Sequence, residues 1–398
     1  MKKLIYFTAL VLVFAGCSDD SIDPSASFTK IYDSQRSDIS YHPIDVVETT
    51  EGFIVLAGED TDDSQFRELQ VLQLDEAGNY LVEVGLPENL VAPMGEFISI
   101  DSVYYFFAMD PTLFTAQLVT MGNDPSNAEV IPINGIQYPL AANRTANGNL
   151  LLLSYSIQNT ETILSEIDRD GQILQSSGYS IGPANDVEPY IWAHYFDPQR
   201  SSQPFFCGQV GADSYYFNGF YNFNLSLVFT NLGGNVSGTI QGQDVDNGGV
   251  RALLSLGSGN FSMFGYQFNT NFILPVQPID TDNPSQSITE FLDLTMDFTE
   301  FKSRTPSIIR AMNLNGVNYS IVAAESQSRK VTLYFYDTAS GALMGIHNIG
   351  HINPYTLGSI RVDAENNLLV IGTTLVSNRF ERVFLNKIST KELNAILQ

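Results

Sequence analysis

A run of four to six β-branched, aromatic or leucine residues, introduced by a turn that contains Gly or Asn, returns seven times along these 398 residues. The runs occupy 51–58, 101–108, 147–154, 203–208, 258–265, 315–323 and 365–372. With Gly52, Ser102, Gly148, Gln203, Gly259, Gly316 and Asn366 as markers, successive steps are 50, 46, 55, 56, 57 and 50 residues. So even a step marks one supersecondary unit repeated, because a single unit of this size cannot bury its apolar faces without neighbours.

Several units continue into a second strand that ends in a polar turn, at 68–79, 163–172 and 331–341. In each, an Asp after the strand can cap the turn through its side chain while Gly supplies a positive φ. A further short strand follows, such as Tyr80 to Val84, and another precedes each marker, such as Ile44 to Val47. Four strands per unit is the plan of a propeller blade. Residues 51–84 resemble the bacterial propeller repeat that reads D-G-G-Y-I-hydrophobic-A-G and then hydrophobic-K-L-D-x-x-G-N, as do 147–172 and 315–341. The likeness weakens over 192–299, where 213–224 and 277–304 read as inserts. The expected fold is all-β, a β-propeller of seven four-stranded blades filling one domain, 27–398, with six or eight blades as alternatives. The last unit offers strands at 357–362, 367–374 and 380–389, and its tail, 390–398, reads as a short helix. Phe28 to Asp33 stands before the first unit with no partner there. It is expected to supply the missing outer strand of the last blade, closing the ring and covering two sheet edges.

Ahead of the repeats, Lys2 and Lys3 precede an apolar run from Leu4 to Ala15. About a dozen residues fall short of the roughly 20 that a membrane-spanning helix needs. The run closes in Phe14-Ala15-Gly16-Cys17, which resembles the bacterial lipobox, although Phe14 stands where Leu is commoner. The resemblance implies a signal peptide over 1–16 and lipid, a palmitate-type acyl chain, on Cys17. Residues 17–26 then read as an acidic tether. They are similar to the export signal behind the cysteine of Bacteroidota-type surface-exposed lipoproteins, which implies display at the outer face of the cell outer membrane. With lipid on Cys17, Cys207 has no partner for a disulfide. It lies in the apolar run Phe205-Phe206-Cys207 and reads as a small buried hydrophobe.

The 19 Lys and Arg against 44 Asp and Glu give a net charge of −25. Such a body repels nucleic acid and anionic headgroups. Motifs for chemistry are sparse. His347-x-x-x-His351 has helical metal-ligand spacing, but Gly345, Gly350 and Pro354 around it point to a loop. Acidic clusters at 59–63, 244–248 and 280–283 offer oxygen ligands to calcium without the full loop spacing, and read as solvated turns. No Gly-rich phosphate cradle follows a strand. The segment 213–224, rich in Tyr, Asn and Gly, has the chemistry of an adaptable contact surface. It suggests Trp192, Tyr195, Tyr215, Tyr216, Phe220 and Tyr221 as ligand or partner contacts. The other reading makes it two blade strands joined by an Asn218-Gly219 turn, with the rings in the inter-blade core.

The expectation is a non-catalytic binding or scaffold subunit of an assembly built around an outer-membrane β-barrel, for nutrient uptake or secretion, without a cofactor. Capture of a glycan or peptide at the surface is the alternative. A hydrolase or lyase using paired carboxylates comes third.

Overall fold

A computed structural model describes residues 26–32, 39–60, 65–86, 90–182, 187–196, 204–243, 247–268, 270–292, 298–376 and 380–398. The expected signal peptide, Cys17 and the acidic tether up to residue 25 lie outside the described residues.

The second strand of each repeat is apolar without alternation because both of its faces are covered by adjoining sheets. Gly52–Asp60 is buried over eight of its nine positions, and Leu150–Ser156 over six of seven. Around these strands the chain builds seven antiparallel blades, each from the axis outward. Blade 1 is Ser40–Thr49, Gly52–Asp60, Glu68–Leu74 and Tyr80–Gly85, and blade 2 is Val91–Ile100, Val103–Met109, Thr115–Met121 and Glu129–Gln137. Blade 3 is Pro139–Arg144, Leu150–Ser156, Glu161–Ile167 and Ile173–Ser180. Blade 4 is Phe206–Gln209, Tyr215–Tyr221, Asn224–Thr230 and Val236–Gln241, and blade 5 is Gly248–Gly257, Asn260–Gln267 and Thr270–Pro278. Blade 6 is Ser307–Leu314, Val317–Glu325, Val331–Asp337 and Leu343–Ile349. Blade 7 is Ser359–Val362, Leu368–Val376 and Phe380–Ile388, completed on its outer side by Phe28–Tyr32. First strands adjoin in turn around the axis from blade 5 through blades 6, 7, 1, 2 and 3 to blade 4. The fold is an all-β propeller.

The N-terminal strand closes the ring as expected. It runs antiparallel to Phe380–Ile388, from Phe28 opposite Lys387 to Tyr32 opposite Val383. The predicted turns also form. The carboxylate of Asp75 accepts from the Asn79 backbone at 2.7 Å, that of Asp168 from Gln172 at 2.7 Å, and that of Asp337 from Ser340 at 2.7 Å. The C-terminal helix Thr390–Ile396 starts from a Ser389 cap and buries Leu393 against blades 6 and 7.

Four readings of the irregular fourth and fifth units need correction. Gln203 marks the approach to a first strand, whereas the other markers precede second strands, so the second strand of blade 4 is Tyr215–Tyr221. Residues 213–224 are therefore blade and not insert. Asn218-Gly219 lies mid-strand, and the turn falls at Asn222 and Phe223, both with positive φ. Asn218 is fully buried and donates to the carbonyls of Pro204 and Val250, at 2.6 and 3.0 Å, which fixes it inside the sheet. Among the described residues blade 5 has three strands. The chain beyond it crosses back to blade 4, where Gln286–Ser287 pairs in parallel with Val236–Gln241.

Cys207 is 3% exposed, and burial pushes its thiol up to about 12. Alkylation mapped by mass spectrometry is expected to leave it unmodified in the folded protein and to modify it in denaturant, since only a thiolate reacts.

His347 lies on the outer strand of blade 6 and not in a loop. Burial lowers its pKa, against the opposing charge of Glu392 on the C-terminal helix. The folded protein thus holds a neutral imidazole that the unfolded chain protonates below about pH 6.5. Stability should fall as pH drops through that value, and His347→Gln should make the fall shallower in denaturant melts taken from pH 7.5 to pH 5.5.

Candidate functional site

The first strands run along the propeller axis, so their starts gather at one end of the central channel and their ends at the other. We call these the upper and lower ends. A cavity occupies each, and the two abut at Gly95, Ala141, Phe205, Pro306, Leu357 and Gly358. Gly95 has φ +74, and a Cβ there would sit 3.1 Å from the backbone nitrogen of Ala142 on blade 3. Only glycine fits this approach of blades 2 and 3.

The upper cavity, about 920 Å³, carries balanced charges. Nε2 of His42 lies 2.6 Å from Asp60, and its Nδ1 lies 3.3 Å from Glu381 of blade 7. Arg67 reaches Asp60 at 3.3 Å, and Lys302 pairs with Glu325 at 2.5 Å. Burial pushes the Asp60 carboxyl up, but the hydrogen bond and charge of His42, with Arg67, outweigh it and hold the carboxyl below its usual range. Both His42 nitrogens face carboxylates, so in this arrangement neither is placed to take a proton from a hydroxyl nucleophile.

Beside this cavity, the helix Glu188–Phe196 links blades 3 and 4 and carries an aromatic group onto the upper face. Trp192 stacks on Phe196 at 5.3 Å and meets Phe114 and Tyr138 edge-on, at 5.4 and 5.6 Å. Phe196 lies 4.6 Å from Phe66. Phe114 and Tyr138 are themselves stacked at 5.3 Å, and both hold left-handed backbones, φ 57 and 50. That conformation is unfavourable for bulky side chains, by about 1–3 kcal/mol each. His194 and Tyr195 of the same helix line the cavity.

The lower cavity, about 710 Å³, differs sharply in charge. Arg144, Arg251, Arg310 and Arg361 line it, with Glu96 the one acid among the described residues of its lining. Glu96 pairs with Arg310 and lies 3.5 Å from Arg361. Asp45, fully buried behind the wall, pairs with Arg361 and accepts from Ser359 Oγ and the Phe97 backbone, each at 2.8 Å. Arg310 also donates to the carbonyl of Ile360 at 3.2 Å. This network ties blades 1, 2, 6 and 7 together at the axis. Burial, with the charge of Arg361 beside it, brings the Arg310 guanidinium down to about 10, so it stays protonated at neutral pH.

The six predicted contact residues do not share one surface. Tyr215, Tyr216 and Phe220 are buried between blades, with Tyr216 reaching the lower cavity wall. Tyr195 is 4% exposed, and its hydroxyl donates to the carbonyl of Pro139 at 2.7 Å. Trp192 and Tyr221 are half-buried, and Trp192 alone of the six belongs to the stacked aromatic group. Sequence reasoning missed the helix and the channel arginines. Pro189 in the first turn was a signal for the helix, and an Arg in the first strand of four of the seven units was a signal for the channel. Among the described residues no three His, Cys, Asp or Glu side chains gather to hold a metal.

No family model and no curated protein matches the chain. Solved structures do resemble it. The β-propeller domain of the Trilobed protease from Pyrococcus furiosus is 12% identical with a TM-score of 0.49, over 90% of this chain and 98% of that one. Pyrococcus horikoshii acylaminoacyl peptidase is 13% identical with a TM-score of 0.48, over 87% of this chain and 51% of that one. A protein of unknown function from Bacteroides caccae is 15% identical with a TM-score of 0.36, over 65% and 82%. At these values the likenesses say nothing of what this chain binds.

Proposed function

We propose that the chain is a non-catalytic binding subunit, carried by lipid on Cys17 at the outer membrane surface, that engages its partner or ligand at the upper mouth of the channel. The observation that carries this reading is the stacked group of Phe66, Phe114, Trp192 and Phe196 beside a cavity of about 920 Å³. Half-buried rings beside a concavity suit recognition, and Phe114 among them is held by a left-handed backbone, a strain of the kind that persists where function needs the geometry. The partner we favour is an outer-membrane β-barrel assembly for uptake or secretion. Flat ring faces also favour the second reading, capture of a glycan.

Trp192 is the single tryptophan of the chain, so intrinsic fluorescence reports on this helix alone. Binding at the upper mouth should shift or quench that emission, and Trp192→Ala should weaken binding by about tenfold or more. Affinity purification in mild detergent should return a β-barrel partner, and a glycan array should show a signal if the second reading holds. Recovery of this chain alone, with a silent array, would sink the proposal.

A further inference from the structure

We infer that a pocket on the flank of blade 4 binds a single neutral sugar ring. It shares no described lining residue with either axial cavity, and the inference goes beyond the reading of the upper mouth.

The pocket, about 160 Å³, exists because the fourth unit departs from the regular blade plan. Side chains two apart on a strand, or directly opposite across a ladder, share a face. Ser226 stands opposite Gln241, and Val228 opposite Thr239, in rows that continue to Gly219 and Phe217 on the second strand. Phe217 meets Tyr179 of blade 3 at 4.9 Å, so this is the face that blade 4 turns toward blade 3. One wall of the pocket is the turn that carries Tyr221 and Asn222. Asn222 and Phe223 hold left-handed backbones, and their N–H groups donate to the carbonyls of Ser180 and Ile181 at 3.2 and 2.8 Å. Phe223 also packs on Gly182, where a Cβ would lie 2.6 Å from its ring. A second wall comes from the extra strand. The Asn283 carbonyl accepts from the Thr239 backbone at 3.0 Å and Gln286–Ser287 pairs with Val236–Gln241, which brings Pro284 to the pocket. Both walls are thus fixed by the fold itself.

Five of the lining side chains, those of Tyr221, Asn222, Ser226, Thr239 and Gln241, end in a neutral group that both donates and accepts. None of the five side chains has a hydrogen-bond partner among the described residues. Ser226 is 1% exposed and Thr239 5%, so the Ser226 hydroxyl in particular is a buried polar group without a bond. Buried hydroxyls are ordinarily satisfied. Close by, Thr162 Oγ1 donates to the Phe220 carbonyl at 2.6 Å and Thr230 Oγ1 to that of Asn235 at 3.0 Å. Ser154, Ser262 and Ser320 are unbonded like Ser226, but they line none of the three cavities. In the axial cavities, by contrast, polar groups pair with one another, as His42 does with Asp60 and Arg310 with Glu96.

These properties select the ligand. Each hydroxyl of a sugar is itself donor and acceptor, so it pairs with hydroxyls and amides in either direction. The C–H face of the ring needs apolar surface beside those groups, and Tyr221, Val236 and Pro284 supply it. The space takes several waters, whose places the hydroxyls of one ring fill, and it is too small for a chain of rings.

The test is saturation-transfer NMR on the full chain. The probes are glucose, galactose, mannose and N-acetylglucosamine, each as the free sugar and as the methyl glycoside, with glucuronate as the charged comparison. At least one neutral sugar should bind, with a Kd on the order of 1 mM. Tighter binding of the free sugar marks a nutrient as the source, and tighter binding of the glycoside marks a chain end. Gln241→Ala, an exposed change, should weaken binding by about fivefold, and Ser226→Ala by a similar factor. Ser226→Ala should also melt at or above the temperature of the parent, because its hydroxyl has no bond in the fold to lose. A merely structural serine would not give that split. Gln172→Ala on blade 3 should bind as the parent does, and so should Trp192→Ala. The inference is overturned if no neutral sugar binds at about 50 mM, if both pocket variants bind as the parent does, or if glucuronate binds more tightly than every neutral sugar. A sugar signal lost in Trp192→Ala but kept in Gln241→Ala also overturns it and belongs to the upper mouth, so the two readings fail separately.

Discussion

Replacing Asp45 with alanine is expected to lower the unfolding free energy by about 2–4 kcal/mol, one of two large effects that follow from how the ring is held. Asp45 is fully buried, and its carboxylate is the meeting point of three blades: it pairs with Arg361 of blade 7 and accepts from Ser359 of blade 7 and the Phe97 backbone of blade 2. Removing it leaves a guanidinium short of its counter-charge and two buried donors without an acceptor. The upper end of the range for breaking a buried pair does not apply, because the Arg361 side chain keeps a quarter of its surface exposed and Glu96 lies 3.5 Å away. The measurement is a guanidinium chloride melt, in which the midpoint should fall with the slope unchanged. The double change Asp45→Leu with Arg361→Met should recover most of the loss, since an apolar pair of similar volume carries no desolvation cost. If the single and double variants were equally destabilised, the ion pair would not be the cause.

The second expected effect concerns the closing strand. Tyr32 is 8% exposed, its hydroxyl donates to the carbonyl of Gly78 at 2.9 Å, and Phe28 meets Phe53 edge-on at 6.3 Å. The strand therefore ties blade 7 to blade 1 as well as completing its own sheet. Tyr32→Ala should cost about 3–4 kcal/mol, by analogy with other buried aromatic truncations. For a domain of this size that corresponds to a fall in melting temperature of about 4–5 °C. Deleting 28–32 should cost more, and should also expose the edge of Phe380–Ile388 to pairing with a second copy. A deletion variant that melts with the parent and stays monomeric would show that the ring does not depend on this closure.

Second strands were legible in the sequence because they are covered on both faces. A strand such as Leu150–Ser156 must be apolar at nearly every position, which no solvent-facing element imitates. Closure was legible by subtraction, from a surplus strand at 28–33 and a deficit in the last unit. Blade 4 was less so, since its first strand is short and its second reads Tyr-Tyr-Phe-Asn-Gly-Phe-Tyr, where Asn-Gly imitates a hairpin turn. Burial of Asn218 between the carbonyls of Pro204 and Val250 overrides that local preference, and the second of those partners lies 32 residues away.

By itself, then, the sequence determined the repeat and the four-stranded unit, which depend on residues close together in the chain. Only the tertiary structure decided what lines the axis. Arg144, Arg251, Arg310 and Arg361 are separated by 50 to more than 100 residues, and they meet because each stands in the first strand of its blade and the ring brings those strands to one channel. The aromatic group of the upper face has the same origin, drawing Phe66, Phe114 and Trp192 from two blades and a helix. A sheet's hydrogen-bond period is written locally, but convergence at an axis depends on closure of the whole ring.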